Sequence, residues 1–205
     1  MLRSEPVNGP WIVNVGLPRT GTTSFSRALE LLGLRSLHIW KRAELDPTLL
    51  TRLKSNDPRL RRFLAQYHAL SDTPFYALRN VFERHYPDAL LVHTTRPKDD
   101  WIRSKLNFKT AGGEFLSSLC ELRGVPYSRT DRGALGRLYD LHHATVCHRL
   151  PAIDLADPDS HAKWEVLCSA FPRREGIISR AVELEWPHAN RFSVSKWCKP
   201  KIVRV

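Results

Sequence analysis

The chain has 205 residues, 42% of them hydrophobic, which suits one domain with a real core. No apolar run is long enough to span a bilayer, and the first ten residues, MLRSEPVNGP, lack the apolar centre of a signal peptide. The net charge of +11 points to an anionic ligand, but its basic residues are dispersed apart from Arg59-Arg61-Arg62 and Arg173-Arg174. They do not interleave with aromatics, so a nucleic-acid partner is not expected. Cys120, Cys147, Cys168 and Cys198 are scattered without a Cys-x-x-Cys pair, which argues against metal and redox motifs and suits a reduced, cytoplasmic protein.

After a loose lead-in over 1–10, the apolar run Trp11–Val15 reads as a first strand and feeds Gly16. A helical pattern covers about 22–33 and ends near Gly33. Between them lies Val15-Gly-Leu-Pro-Arg-Thr-Gly-Thr-Thr-Ser24. A strand, a Gly-bounded loop and a helix start bring backbone N–H groups onto one point, which favours an anion. The spacing from Gly16 to Gly21 is that of a nucleotide P-loop, yet Thr22 and Thr23 follow where a kinase loop has Lys and then Ser/Thr. The cation, Arg19, sits inside the loop instead.

Leu37–Trp40 suits a short strand or turn, Asp46-Pro47 opens a helical stretch, and a further helix runs from Pro58 to Ala69. Leu70–Tyr76 returns to the sheet, Asn80–His85 is helical, and Ala89–Thr95 is a continuous apolar run of the buried parallel kind. Arg96 stands at its carboxyl end, and Pro97, Asp99 and Asp100 open a helix to about Thr110. Ser104 lies about two helical turns beyond Arg96. A mixed segment follows to Arg132, with Gly133 as punctuation, then a helix over Leu135–Arg149, a strand over Pro151–Leu155 and a helix over Ser160–Phe171 capped by Ser160 or Asp159. The end, 196–205, is a basic tail.

Alternating strands and helices predict an α/β three-layer sandwich around a central parallel sheet, in one domain over 1–205. Right-handed crossovers bring the loops at the strand carboxyl ends to one edge, so the Gly-bounded loop and Arg96 converge there.

The loop Pro18-Arg19-Thr20-Gly21-Thr22-Thr23 resembles the 5′-phosphosulfate loop of sulfotransferases, enzymes of a P-loop NTPase-like fold that take a sulfuryl group from PAPS (3′-phosphoadenosine 5′-phosphosulfate). Arg96 with Ser104 is similar to the pair that grips the 3′-phosphate in that family. Ser71-Asp72-Thr73-Pro74, Tyr139–His142, Trp164–Cys168 and Trp186–Asn190 resemble further family blocks. Trp164, Leu167 and Cys168 read better as a helix face packed on the sheet than as chemistry.

The resemblance implies transfer from PAPS to a hydroxyl or amine of a small acceptor, leaving adenosine 3′,5′-bisphosphate (PAP) and needing no metal. Pro18 to Thr23, Arg96 and Ser104 would bind the donor, with Arg19 stabilising charge on the leaving oxygen. For the general base three residues stand open: His38, just after the first helix; Asp72, where other members carry His before x-Pro; and His142. Two departures are plain. Ser24 and Phe25 follow the Thr pair where many members have a Trp that stacks on adenine, and no Arg-Lys-Gly segment supplies a late clamp, leaving Lys196 and Lys199 as candidates. The competing readings are a P-loop kinase or NTPase, with Asp154 as the nearest magnesium ligand, and a non-catalytic binder of polyanions. The segment from Asn107 to Arg132 is expected to shape the acceptor pocket.

Overall fold

The computed structural model describes residues 9–38, 51–52, 55–107, 130–146, 150–169, 181 and 183–188. The helix expected at Asp46, the stretch 108–129 of the expected acceptor segment, the tail with Lys196 and Lys199, and Cys120, Cys147 and Cys198 lie outside them.

Five strands form one parallel sheet in the order β2-β3-β1-β4-β5: β1 Ile12–Asn14, β2 Ser36–His38, β3 Ala69–Ser71, β4 Leu90–Thr95 and β5 Ala152–Asp154. The helices are α1 Thr22–Leu31, α2 Pro58–Leu64, α3 Arg79–His85, α4 Lys98–Leu106, α5 Arg132–Val146 and α6 Ser160–Cys168, with a 3-10 turn at Phe75–Ala77. The three-layer α/β sandwich is thus present as the alternation predicts.

The layers follow from the two-residue period of the strands. Ile12, Ala69 and Val92 point to one face and pack with Phe25, Ala28 and Leu29 of α1 and Trp164 and Leu167 of α6. Their neighbours Val13, Leu70 and Leu91 point to the other face, against Leu60 and Leu64 of α2, Phe82 of α3 and Val146 of α5. Both faces being covered explains why these strands read as unbroken apolar runs. A third cluster, Leu17, Trp101, Ile102, Leu135 and Tyr139, joins α4 and α5 to the loop after β1.

Helix boundaries are set by local caps. Asp57 accepts the N–H groups of Arg59 and Leu60, with Pro58 at the first position of α2. The Asp159 side chain, rather than Ser160, caps α6 by accepting from His161 N at 2.7 Å, while Ser160 Oγ accepts from Trp186 N. Helix α5 begins at Arg132, three residues earlier than the sequence suggests, because Asp131 accepts from Gly133 N and Ala134 N. Gly133 therefore sits inside a capped first turn instead of breaking the chain. Helix α1 ends at Leu31, with Gly33 at φ 80° and Leu34 N bonded back to Leu29 O.

Chain connections turn to opposite sides of β1, which puts a switch point beside it; ligands of open α/β sheets bind at that place, beyond the carboxyl ends of the strands.

Candidate active site

Three carbonyls of the loop between β1 and α1 are bonded within the protein. The carbonyl of Leu17 takes the Thr20 hydroxyl at 2.6 Å, that of Pro18 takes Trp101 Nε1 at 2.9 Å, and that of Arg19 takes an Arg96 guanidinium nitrogen at 3.1 Å. With these carbonyls satisfied, an anion at the loop meets donors. Helix α1 starts at Thr22, and Gly21 at its cap has no side chain to bond the first turn. N–H groups at such a helix start suit an anionic partner. Gly21 holds φ 105°, and an added Cβ would overlap Leu155 beyond β5, so this position needs glycine on both counts.

Below the loop sits a residue that motif reading passes over. Asn14 is fully buried at the end of β1. Its Oδ1 accepts from Gly16 N at 2.8 Å and Thr94 N at 3.1 Å, and its Nδ2 donates to Thr94 Oγ1 at 3.1 Å. Thr20 gives its hydroxyl hydrogen to Leu17, so Thr94 donates across the 2.8 Å contact between the two hydroxyls. The network fixes loop, β1 and β4 to one another. An Asn inside an otherwise apolar strand is the signal for it, since burying an amide is costly unless it is bonded.

The two motifs meet. Arg19 Nε donates to Ser104 Oγ at 3.1 Å, and Arg96 holds the Arg19 carbonyl. Tyr139 in turn donates its hydroxyl to Arg96 O at 2.7 Å. Burial lowers the Arg19 pKa, the nearby charge of Arg96 lowers it further, and Asp72 partly offsets both. Two guanidinium groups thus stand close together beside the loop. Arg96 Nε is buried and has no hydrogen-bond partner among the described residues. Buried donors in folded proteins are nearly always paired, so this nitrogen is where an acceptor group fits.

The two leading base candidates, 34 positions apart in sequence, also come together. Strand β2 pairs with β3 so that His38 lies opposite Ser71, which brings the next residue, Asp72, beside the imidazole. His38 Nε2 lies 3.6 Å from Asp72 Oδ2 and 3.3 Å from Thr22 Oγ1. Thr22 donates to Asp72 Oδ2 at 2.5 Å, and Asp72 Oδ1 accepts from Thr73 N at 2.7 Å. His142 stands elsewhere: it is buried on α5, with Nε2 at 2.9 Å from the Val15 carbonyl, where its N–H supports the end of β1. His93, in the middle of β4, is pushed down to about 4 by burial first and then by the charge of His143, and so is neutral at physiological pH.

Burial pushes the Asp72 carboxyl up, but the neighbouring His38, with the Thr22 hydroxyl and the Thr73 amide, outweighs it and holds the group at about 2. This has a consequence for stability. The folded value lies below the ordinary 3.8, so the contribution is present above pH 4 and is lost as pH falls toward 2. Asp72 has φ 70°, a conformation that Asn also adopts, so Asp72→Asn keeps the backbone. Denaturant titrations from pH 7 to pH 2 are expected to show a loss of about 2 kcal/mol for Asp72→Asn at neutral pH. The difference from wild type should shrink toward pH 2; a constant difference would show that Asp72 carries no such linkage.

Among the described residues no group of three or more His, Cys, Asp or Glu is placed to hold a metal ion, no helix is long and apolar enough to cross a membrane, and Cys168 is a free thiol. Comparison with curated proteins gives no match. The family model described as "Sulfotransferase domain" matches residues 11–192, which takes in the loop, Asn14, His38, Asp72, Arg96, Ser104 and every described strand and helix. On that match, and on the parallel sheet that carries it, the chain belongs to the sulfotransferase-domain family.

Proposed function

We propose that this protein transfers a sulfuryl group from PAPS to a hydroxyl or amine of a small acceptor. PAPS, when bound, supplies the sulfuryl group and departs as PAP. The observation that carries the donor assignment is the unpartnered buried Nε of Arg96, next to a loop built for a second anion.

The residues divide the work. Backbone N–H groups of Arg19 and of Gly21 to Thr23, with the Thr23 hydroxyl, take the 5′ side of the donor, while Pro18 and the turn closed by Thr20 N on Leu17 O shape the loop. Arg96 and Ser104 take the 3′-phosphate; Ser104 accepts from Arg19 and keeps its own hydrogen to donate. Arg19 lies between the two and stabilises the negative charge that grows on the leaving oxygen. His38 removes the proton of the acceptor hydroxyl at Nδ1. Asp72, held at about 2, is too weak a base for that task and serves as the counter-charge behind the ring. No step is assigned to a metal ion, the positive charge coming from Arg19 and Arg96.

Calorimetry with PAP and AMP in metal-free buffer tests the assignment. Arg96→Ala is expected to weaken PAP by about 10- to 150-fold, the equivalent of roughly 1.5–3 kcal/mol for a charge-assisted contact, and to leave AMP within about threefold. Equal losses for the two nucleotides would show that the 3′-phosphate is not what Arg96 reads. Tighter binding of magnesium ATP than of PAP would overturn the donor itself.

A further inference from the structure

A threonine hydroxyl at the start of a phosphate-loop helix is normally read as one more donor to the bound anion. The surroundings of Thr22 assign its hydroxyl differently. The side chain is almost fully buried, at 2% exposure, and a hydroxyl has one hydrogen to give. That hydrogen goes to Asp72 Oδ2 at 2.5 Å. What remains on Thr22 Oγ1 are lone pairs, and the atom within reach of them is His38 Nε2 at 3.3 Å. The direct separation between His38 Nε2 and Asp72 Oδ2, 3.6 Å, is beyond hydrogen-bond length. The shorter path from ring to carboxylate therefore runs through Thr22.

We propose that Thr22 is a positioning residue of the acceptor-activating group: its hydroxyl bridges His38 to Asp72 and fixes the imidazole with the hydrogen on Nε2 and the lone pair on Nδ1. The directions are forced in sequence. Asp72 Oδ1 is occupied by the Thr73 amide and hydroxyl, so Oδ2 faces Thr22 and His38. Thr22 must donate to that carboxylate and can only accept from the ring. The nitrogen that faces it must then carry a hydrogen, and in a neutral imidazole the other nitrogen is bare. Thr23, whose hydroxyl lies 3.4 Å from the same Nε2, is also within reach of the ring, but at a longer distance and without a bond to Asp72. Thr22 keeps a place in the cradle through its backbone N–H. One residue thus serves both halves of the site, the main chain facing the donor and the side chain the base. The inference rests on His38 being the base, and its test is separable from the identity of the donor.

The test is ¹⁵N NMR of the histidine rings in the ligand-free full chain, with calorimetry of PAP binding alongside. In the wild type, His38 should show a protonated Nε2 and a bare Nδ1 at neutral pH. In Thr22→Val, close in shape but without the hydroxyl, the two ring nitrogens should move toward intermediate shifts as both tautomers are sampled. Thr22→Ser should restore the wild-type pattern, which a purely steric role would not predict. PAP affinity should change by less than about threefold in Thr22→Val, because the backbone contact is retained. An unchanged His38 spectrum in Thr22→Val, or a loss of PAP affinity of tenfold or more, would overturn the proposal and make Thr22 a phosphate ligand. Should Thr22→Val not fold, Thr22→Ala with the same spectrum decides. Failure of the wild type to bind PAP would count against the donor assignment alone, since the ring spectrum is read without ligand.

Discussion

Replacing Arg19 with alanine is expected to lower turnover by about 10²–10³-fold, the usual cost of removing one preorganised donor from a developing oxyanion. Affinity for PAP should fall by no more than about tenfold. The split follows from where Arg19 sits. Its backbone is part of the loop, at φ 79°, and its Nε donates to Ser104. Alanine at that φ is no more strained than arginine, so the loop should keep its shape. Arg19→Lys should recover part of the rate, retaining the charge and losing the fork. The measurement is kcat at saturating PAPS with an acceptor found by screening hydroxylated metabolites, beside calorimetry of PAP. A loss confined to affinity would make Arg19 a docking residue.

His38→Ala should reduce the rate of transfer by about a hundredfold or more at saturating donor, as expected for a general base. His38 is partly accessible, with 20% of its side chain exposed, so the substitution does not open the core. PAP binding should be close to wild type, since the ring faces Thr22 and Asp72 and not Arg96. The rival assignment gives the opposite order: near-normal rates for His38→Ala with an inactive Asp72→Asn would place the base at Asp72. Activity in both variants would exclude the pair.

The parts of this site that depend on neighbours in sequence were legible, and the parts that depend on strand register were not. Arg96 follows a buried apolar run, and a run of that kind in an alternating chain ends at the binding edge, so its position could be read directly. The loop was equally clear, because its glycines and Arg19 lie within one turn. The meeting of His38, Thr22 and Asp72 needs β2 to pair with β3 at the register His38 to Ser71, and no local pattern in two three-residue strands encodes it. For the same reason no local pattern announces the hydrogen bond from the Thr22 hydroxyl to Asp72. Asn14 was overlooked because strand reading weighs apolar residues, whereas here the exception organises the edge. Helix α5 started early because an Asp cap outweighed the glycine that followed it.

The close approach of β1 and β4 has a consequence for the proposed donor site. A Cβ at Gly16 would lie 2.5 Å from the Thr94 carbonyl oxygen, so the two main chains touch where the loop departs. The loop leaves one strand and Arg96 follows its neighbour, and neighbouring strands are separated by about 4.8 Å. The jaws of this caliper are therefore set by the hydrogen-bond ladder of the sheet, not by a flexible connection. Substitutions in the loop can weaken or strengthen either jaw, but they cannot change the gap. Under the proposed donor assignment, a nucleotide carrying its second phosphate on another hydroxyl should bind more weakly than PAP, which calorimetry of the two isomers would check.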